Sequence, residues 1–258
     1  MEIALGFIIA VFIAITGVGA GSMTTPMLIL LLGMPTKQAV GTALIFGAAV
    51  KILTTPLYIA RKQVNWRAFG FLMVTGLPGV LIGTLLLQGF KSDLLTAFVG
   101  FTIVSIAVIN LLRFSNVTRH DRTPWLAAVG LPIGIEVGFS SAGAGALGAL
   151  CLMNMTLLSP AAVVGTDLSF GLILSLVGGG IHAALGDVNT PVLLKLLIGG
   201  AGGALVGGML ATKLPSKKLR FVLCVALVIL GANLGWKGWT DYRKSLAHES
   251  QAQESVKQ

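Results

Sequence analysis

Four ionisable residues stand inside otherwise apolar stretches: Lys51, Glu136, Asp167 and His182. Charge at membrane depth is expensive, so such residues are functional candidates by default. Lys51 lies near the middle of the run 39–60, too far from either end to snorkel, and suits a counter-charge to an anion. Asp167, His182 and Glu136 are the groups that could couple transport to a second ion, and the titration range of histidine makes His182 the natural proton relay. A structural link from Lys51 to Asp167 or Glu136 is equally admissible. Lys195, near the start of its segment, is expected to snorkel to the interface.

Two glycine-rich interruptions accompany these charges: "GVGAGSMTTPML" over 17–28 and "SAGAGALGAL" over 141–150. Glycine costs a helix interior about 1 kcal/mol against alanine, and proline about 3. An uninterrupted helix over 3–34 would be about 48 Å long against a hydrocarbon core of ~30 Å. A break near Gly17–Gly21 would make two half-length pieces. Irregular backbone is tolerated at membrane depth only where it is buried in protein or lines a cavity, so the break predicts a polar chamber beside it. A half-helix start there offers free N–H groups and a positive dipole end, a ready site for an anion. Gly19, Gly21, Thr24 and Thr25 from the first interruption, with Ser140, Ser141, Gly143 and Gly145 from the second, are the candidate binding residues. Close packing between helices is the competing use of the same small residues. Thr42 and Thr166 either line the chamber from its flank or act as helix caps.

The elements that position these groups follow from composition. Apolar residues make up 55% of the 258 and charged residues 10%, against about 25% charged in a soluble domain. Mean hydropathy is +0.92. Apolar runs near 3–34, 39–60, 68–89, 94–112, 125–153, 160–185, 191–212 and 219–239 predict an all-α, polytopic membrane protein with about eight hydrophobic segments. The net charge of +9 resides mostly in short loops such as "RKQVNWR", "RFSNVTRHDR" and "KLPSKKLR", the pattern of the positive-inside rule, which leaves no reason to expect nucleic acid as a partner. Cys151 and Cys224 lack ligand spacing, so no metal or cofactor is expected. "MEIALGFIIAVFIAITG" reads as a retained first segment.

The chain also repeats itself. A shift of 124 positions places Gly41-Thr42 on Gly165-Thr166, Gly19-Ala20-Gly21 on Gly143-Ala144-Gly145, Phe46-Gly47 on Phe170-Gly171, and Val64-Asn65 on Val188-Asn189. Gly76, Gly79 and Gly83 fall on Gly200, Gly203 and Gly207. One membrane domain over 1–240 is therefore expected, with repeats of four segments at about 1–118 and 119–240 and a polar, solvated tail at 241–258. Matching interrupted segments in two halves point to a substrate site between them and to a secondary transporter. The charges lack charged mates: Ser175, Phe12, Ala43 and Tyr58 stand opposite Lys51, Glu136, Asp167 and His182.

Charge counting bears on the topology. If both broken segments are re-entrant, the halves are inverted and the loops 61–67, 113–122 and 213–220 share one side. That side then holds Arg61, Lys62, Arg67, Arg113, Arg119, Arg122, Lys213, Lys217, Lys218 and Arg220, against Lys37, Lys91 and the basic tail opposite. If all eight segments cross, the bias weakens. Inverted repeats are the expected geometry.

"GVGAGSMTTPMLILLLGMPTKQAVGT" and "GTDLSFGLILSLVGGGIHAALGDVN", with the two-half layout, resemble the sulfite exporter TauE/SafE (sulfur-anion permease) family over nearly the full length. Ala20 departs from a common third glycine, Asn65 and Asn189 from a frequent Asp, and Tyr58 from a histidine. The resemblance implies a bacterial inner-membrane protein that moves a small sulfur-containing anion such as sulfite, sulfoacetate or another organosulfonate, with protons or another ion as the coupled species. The expected partners are this anion and the lipid bilayer, and a homo-oligomer is admissible. An anion channel is the alternative. An intramembrane serine protease built from "GFSSAG" and His182 is weaker, since Gly17 and Tyr58 stand opposite Ser141 and His182. No phosphate-binding Gly-x-x-x-x-Gly-Lys loop occurs to drive a pump, and the chain is not expected to be an enzyme.

Overall fold

The computed structural model describes residues 1–16, 20–89, 92–113, 121–210 and 216–256, all helical apart from short connections. In chain order the helices are α1 (Glu2–Thr16), α2 (Ala20–Leu32), α3 (Thr36–Ala60), α4 (Trp66–Gly89), α5 (Ser92–Arg113), α6 (Leu126–Ser140), α7 (Gly143–Met155), α8 (Pro160–Ala184), α9 (Thr190–Leu210) and α10 (Ser216–Val256). A single 3₁₀ turn, Thr123–Trp125, leads into α6. Adding 124 to the bounds of α1 and α3 reproduces those of α6 and α8, and the starts of α4 and α5 become those of α9 and α10. The duplication seen in the residues is thus a duplication of structure.

Local chemistry sets these bounds. Gly33 adopts φ +63, and the Met34 N–H reaches back to the Leu28 carbonyl at 3.2 Å; a left-handed residue closed by such a bond ends a helix. Ser159 caps α8 by accepting from the Ala162 N–H, with Pro160 in the first helical position. Asn65 and Asn189 cap α4 and α9, accepting from the N–H groups of Ala68 at 2.9 Å and Val192 at 3.2 Å. Both asparagines are themselves held from the other repeat. The Asn65 N–H donates to Thr166 Oγ1 at 2.9 Å, and the Asn189 N–H donates to Thr42 Oγ1 at 3.1 Å.

Glycines show how the helices run past each other. Along α1 and α9, Gly199 faces Ile3 and Phe7, Gly203 faces Phe7 and Ala10, and Gly207 faces Val11 and Ala14, so the two are parallel. Likewise Gly130 meets Leu72, Gly134 meets Gly76 and Gly138 meets Val80, which makes α6 parallel to α4. Helices α3 and α8 are antiparallel: Gly41 lies against His182, Ile45 against Gly179 and Tyr58 against Gly165. The mates α5 and α10 are antiparallel too, with Ala97 on Gly238, Gly100 on Gly235 and Val104 on Gly231.

These directions decide the topology. Repeat-equivalent helices that run antiparallel belong to inverted repeats. Because α9 turns back from α8, and α8 opposes α3, α1 runs in the same sense as α3. Only α2 lies between them, so α2 must return the chain to the face it came from. At 1.5 Å per residue, α1 and α2 are about 22 Å and 20 Å long, each short of the ~30 Å core. The first segment of each repeat is therefore a re-entrant hairpin, α1–α2 and α6–α7. Among the described residues the eight apolar segments resolve into two hairpins and six longer helices. By length and composition α3, α4, α8 and α9 are spans, and α5 and α10 run beside each other as the remaining pair.

Each hairpin packs into the opposite repeat, α1 on α9 and α6 on α4. Phe46 seats on Gly200 and its mate Phe170 on Gly76. All four tryptophans are at least half exposed: Trp66 and Trp125 at one end of the bundle, Trp236 and Trp239 at the other. Those are the positions of aromatic belts at the two membrane interfaces. Beyond Trp239 the polar tail continues α10 as helix to Val256.

A Cβ at Gly79 would overlap the Leu131 carbonyl and one at Gly203 the Phe7 carbonyl, whereas Gly70 has nothing within 4 Å. Gly79→Leu and Gly203→Leu are expected to cost about 1–3 kcal/mol each through overpacking, a loss of several degrees in Tm, with Gly70→Leu near wild type. Thermal unfolding of the purified protein measures it, and equal stability of all three variants would contradict the parallel packing. For the crossed latch, whose donor is the Asn65 main-chain N–H, Thr166→Val is expected to cost about 1 kcal/mol in the same unfolding measurement, and Thr166→Ser, which keeps the accepting hydroxyl, clearly less.

Candidate functional site

The second hairpin breaks in a defined way. Helix α6 ends at Ser140, and Ser141 turns left-handed at φ +65 with its N–H on the Val137 carbonyl. The next N–H, of Ala142, is taken by the Ser140 hydroxyl at 3.2 Å, and that hydroxyl donates to the Glu136 carboxylate. Ala144 is extended and Gly145 sits at φ +95, a conformation glycine adopts without strain. Regular helix resumes only after Gly145. The serine pair thus serves the backbone groups that the break leaves without helical partners.

The two hairpins meet at their broken regions. Thr25 Oγ1 lies 2.6 Å from Ser141 Oγ, and Gly21 is so close to Ser141 that any Cβ would overlap the serine's carbonyl oxygen. Gly143 clears the Ile133 carbonyl and the Glu136 side chain. Ser22, Thr24, Thr25, Ser140 and Ser141 are all at most 5% exposed. Among the described residues the hydroxyls beside the break are therefore turned inward, Thr25 and Ser141 onto each other and Ser140 onto Glu136. Buried polar groups must be paired, and Thr25 and Ser141 meet that need across the two hairpins.

Lys51 supplies the positive charge. It is 3% exposed, and its ammonium donates to the Gly171 carbonyl at 3.1 Å and to Ser175 Oγ at 2.8 Å. Ser175 is the repeat mate of Lys51, and two mates can touch only on the pseudo-twofold axis, so the ammonium lies on that axis at mid-depth. A Cβ at Gly171 would meet Ala144 at 2.9 Å and Lys51 Nζ at 3.0 Å; the missing side chain brings the second break against the cation. One turn earlier on α8, Asp167 accepts from the Gly145 N–H at 3.3 Å and lies against Gly148. Asp167 is also the opposite charge that Lys51 feels across the site.

Of the residues singled out from sequence, the fold brings together Gly21, Thr25, Ser140, Ser141, Gly143, Gly145, Lys51, Asp167 and Glu136, with Thr24 buried on the same helix. Gly19 lies outside the described residues. Thr42 and Thr166 stand apart, their hydroxyls committed to the asparagine latches, and Thr166 also donates to the Ala162 carbonyl at 2.7 Å. His182 is near the far end of α8, 3.3 Å from the Asp187 carboxylate through Nδ1. The Ser–His pair of a protease is not formed: Ser140 bonds Glu136, Ser141 bonds Thr25 and His182 bonds Asp187. Among the described residues no group of three metal-ligating side chains converges.

Sequence reasoning passed over Ser175, Gly171 and Gly148. The signal for Ser175 was present, since a residue facing the axis meets its own mate; which residues face the axis needed the fold. Asp187 and Gln88, joined by a hydrogen bond from the Gln88 amide, carried no signal, as each lies in or beside a connection.

The chain is 24% identical to the probable membrane transporter protein YjnA of Bacillus subtilis (strain 168), over 90% of this chain and 98% of the relative. It is 23% identical to the probable membrane transporter protein YunE of the same organism, over 92% and 97%, and 29% identical to the probable membrane transporter protein ORF9 of Sinorhizobium sp, over 84% and 85%. No solved structure matches. The profile of the family described as Sulfite exporter TauE/SafE matches residues 2–234. The chain is a multi-pass membrane transporter belonging to the sulfite exporter TauE/SafE family.

Proposed function

We propose that this protein is a secondary carrier for a small sulfur-containing anion, of the sulfite or organosulfonate type, which binds where the two hairpins cross. The observation behind this reading is the Lys51 ammonium, buried on the pseudo-twofold axis and hydrogen-bonded to the neutral acceptors Gly171 and Ser175, with Asp167 as the opposite charge across the site. An anion arriving beside it would exchange a neutral acceptor for one of opposite charge, a short N–H···O bond between two ionised groups. The second break brings main-chain N–H groups held by side chains, Ala142 by Ser140 and Gly145 by Asp167, which an anion would displace, and Thr25 and Ser141 add hydroxyls that are already paired to each other. The closed packing corresponds to an occluded state. Inverted repeats supply the other states, because exchanging the conformations of the two halves turns an opening on one face into an opening on the opposite face. The positive-inside rule puts the connections α3–α4, α5–α6 and α9–α10 in the cytoplasm. The family name supports a sulfur oxyanion as cargo, and the relatives' names support transport.

The test is a thermal-shift panel on purified protein with sulfite, thiosulfate, sulfoacetate, taurine and sulfate. A ligand at 100 times its Kd stabilises the native state by about 2.7 kcal/mol, so at least one sulfur anion is expected to raise Tm, with sulfate and taurine reporting selectivity. Lys51→Met is expected to weaken that ligand's affinity by roughly one to two orders of magnitude, the size of one hydrogen bond to a charged group. Unchanged affinity in Lys51→Met would remove the lysine from the site. In reconstituted vesicles saturable flux is expected, and a linear single-channel conductance would select a channel instead.

A further inference from the structure

A second polar cluster lies away from the hairpin crossing, at the face that carries the α2–α3, α4–α5 and α8–α9 connections. His182, in the last turn of α8, is fully buried. Its Nδ1 lies 3.3 Å from Asp187 Oδ2, and the same carboxylate oxygen accepts from the Gln88 amide at the end of α4. Lys37, at the start of α3, donates to the Gln88 carbonyl at 3.0 Å. Gly186 at φ +78 and the bond from the Asp187 N–H to the His182 carbonyl at 2.8 Å fold the connection back onto the ring. Gly41 of α3 presses on the His182 Cβ with no side chain between. The cluster ties α3, α4 and α8 together and seals this face.

One atom in it is unsatisfied. His182 Nε2 is buried with no hydrogen-bond partner. The groups around the ring are Asp187 from the connection, Lys37 from α3, Gln88 of α4 acting through Asp187, and from α6 the Gly138 backbone, which lies alongside without closing a hydrogen bond. A neutral imidazole that donates from Nδ1 to Asp187 leaves Nε2 as a bare lone pair, which burial tolerates better than a stranded donor. A protonated ring carries an N–H on both nitrogens, and closing a hydrogen bond from the second needs the ring and the Gly138 backbone of α6 to shift relative to each other. The sealed face therefore suits the neutral ring, and water reaching Nε2 suits the charged one.

We propose that His182 is a proton-binding site that controls this face of the carrier: taking up a proton on Nε2 breaks the seal and opens the path toward the hairpin crossing. The inference rests on the alternating-access reading above but not on which anion is carried. Its asymmetry makes it useful. At the mirror position on the other face stands Tyr58, packed against Gly165 as His182 is against Gly41, and a phenol does not titrate near neutral pH. Acid on one side thus biases a carrier whose backbone is otherwise two-fold symmetric.

The experiment uses the full chain with Cys151→Ser and Cys224→Ser, and Thr84→Cys as probe. Thr84 is fully buried one turn deeper than Gln88 and lies between Gly138 and Gly178, so a thiol there reacts with a water-soluble maleimide only when this face opens. In reconstituted vesicles, with probe added at this face, the labelling rate is expected to rise by roughly an order of magnitude from about pH 8 to about pH 5.5, after correction for the thiol's own ionisation with a denatured control. With His182→Gln, and with His182→Tyr, which installs the mirror residue, the profile is expected to be flat. A pH profile surviving both substitutions, or absent before them, overturns the proposal. No anion is needed in the assay, so failure of the ligand panel and failure of the proton site give separate results.

Discussion

A polypeptide crossing lipid must satisfy every backbone N–H and C=O from within, because hydrocarbon offers no partner and each unsatisfied group costs several kcal/mol. This chain stops two helices in mid-bilayer, and the rest of the architecture answers that choice. The open end of α6 is served by its own serines, Ser140 taking the Ala142 N–H and Ser141 turning back onto Val137. The remaining exposure is covered by the other hairpin, whose Gly21 sits directly on Ser141. Neither broken segment could be stable against lipid alone; each is the other's solvent.

Burying two hairpins from opposite faces forces the repeats to interpenetrate. Helix α1 of the first half lies along α9 of the second, and α6 lies along α4. Both contacts run on glycine, which permits main chain to approach main chain at Gly79 and Gly83 and at their mates Gly203 and Gly207. Small residues at such interfaces are the usual means of dense packing when no hydrophobic effect drives association. The same interleaving explains the crossed latches: Thr42 and Thr166 each hold the first turn of a helix in the other repeat, so the halves share their helix caps as well as their packing.

Symmetry then creates the chemical opportunity. On a pseudo-twofold axis a residue faces its mate, and a duplicated lysine would face a second lysine. Here the pair is Lys51 and Ser175, a donor with an acceptor. Divergence of the repeats away from strict identity is what makes a single cation at the centre tolerable. The same divergence separates His182 from Tyr58 at the two ends. A symmetric scaffold supplies interchangeable conformations, while unmatched side chains supply direction.

The class of protein, the number of apolar segments, the duplication and the two break points were all legible in the residues, because hydropathy and a fixed shift are local or pairwise properties of the string. Gly17–Gly21 and "SAGAG" could be recognised as breaks since no lipid-spanning helix of that length needs them. Re-entry of the hairpins was only weakly signalled by loop charge. It was decided by which helix packs along which, Gly199 to Gly207 rising in step with Ile3 to Val11. Thr42 and Thr166, open in the residues between chamber lining and helix cap, take the Asn189 and Asn65 N–H groups of the other repeat, because a hydroxyl's partner is set by three-dimensional neighbours far away in the chain. The sequence by itself determined that two halves would each break a membrane helix beside buried charges. Only the tertiary structure decided that Lys51 would stand on the axis with Ser175, since sequence records which residues are mates but not which of them face each other.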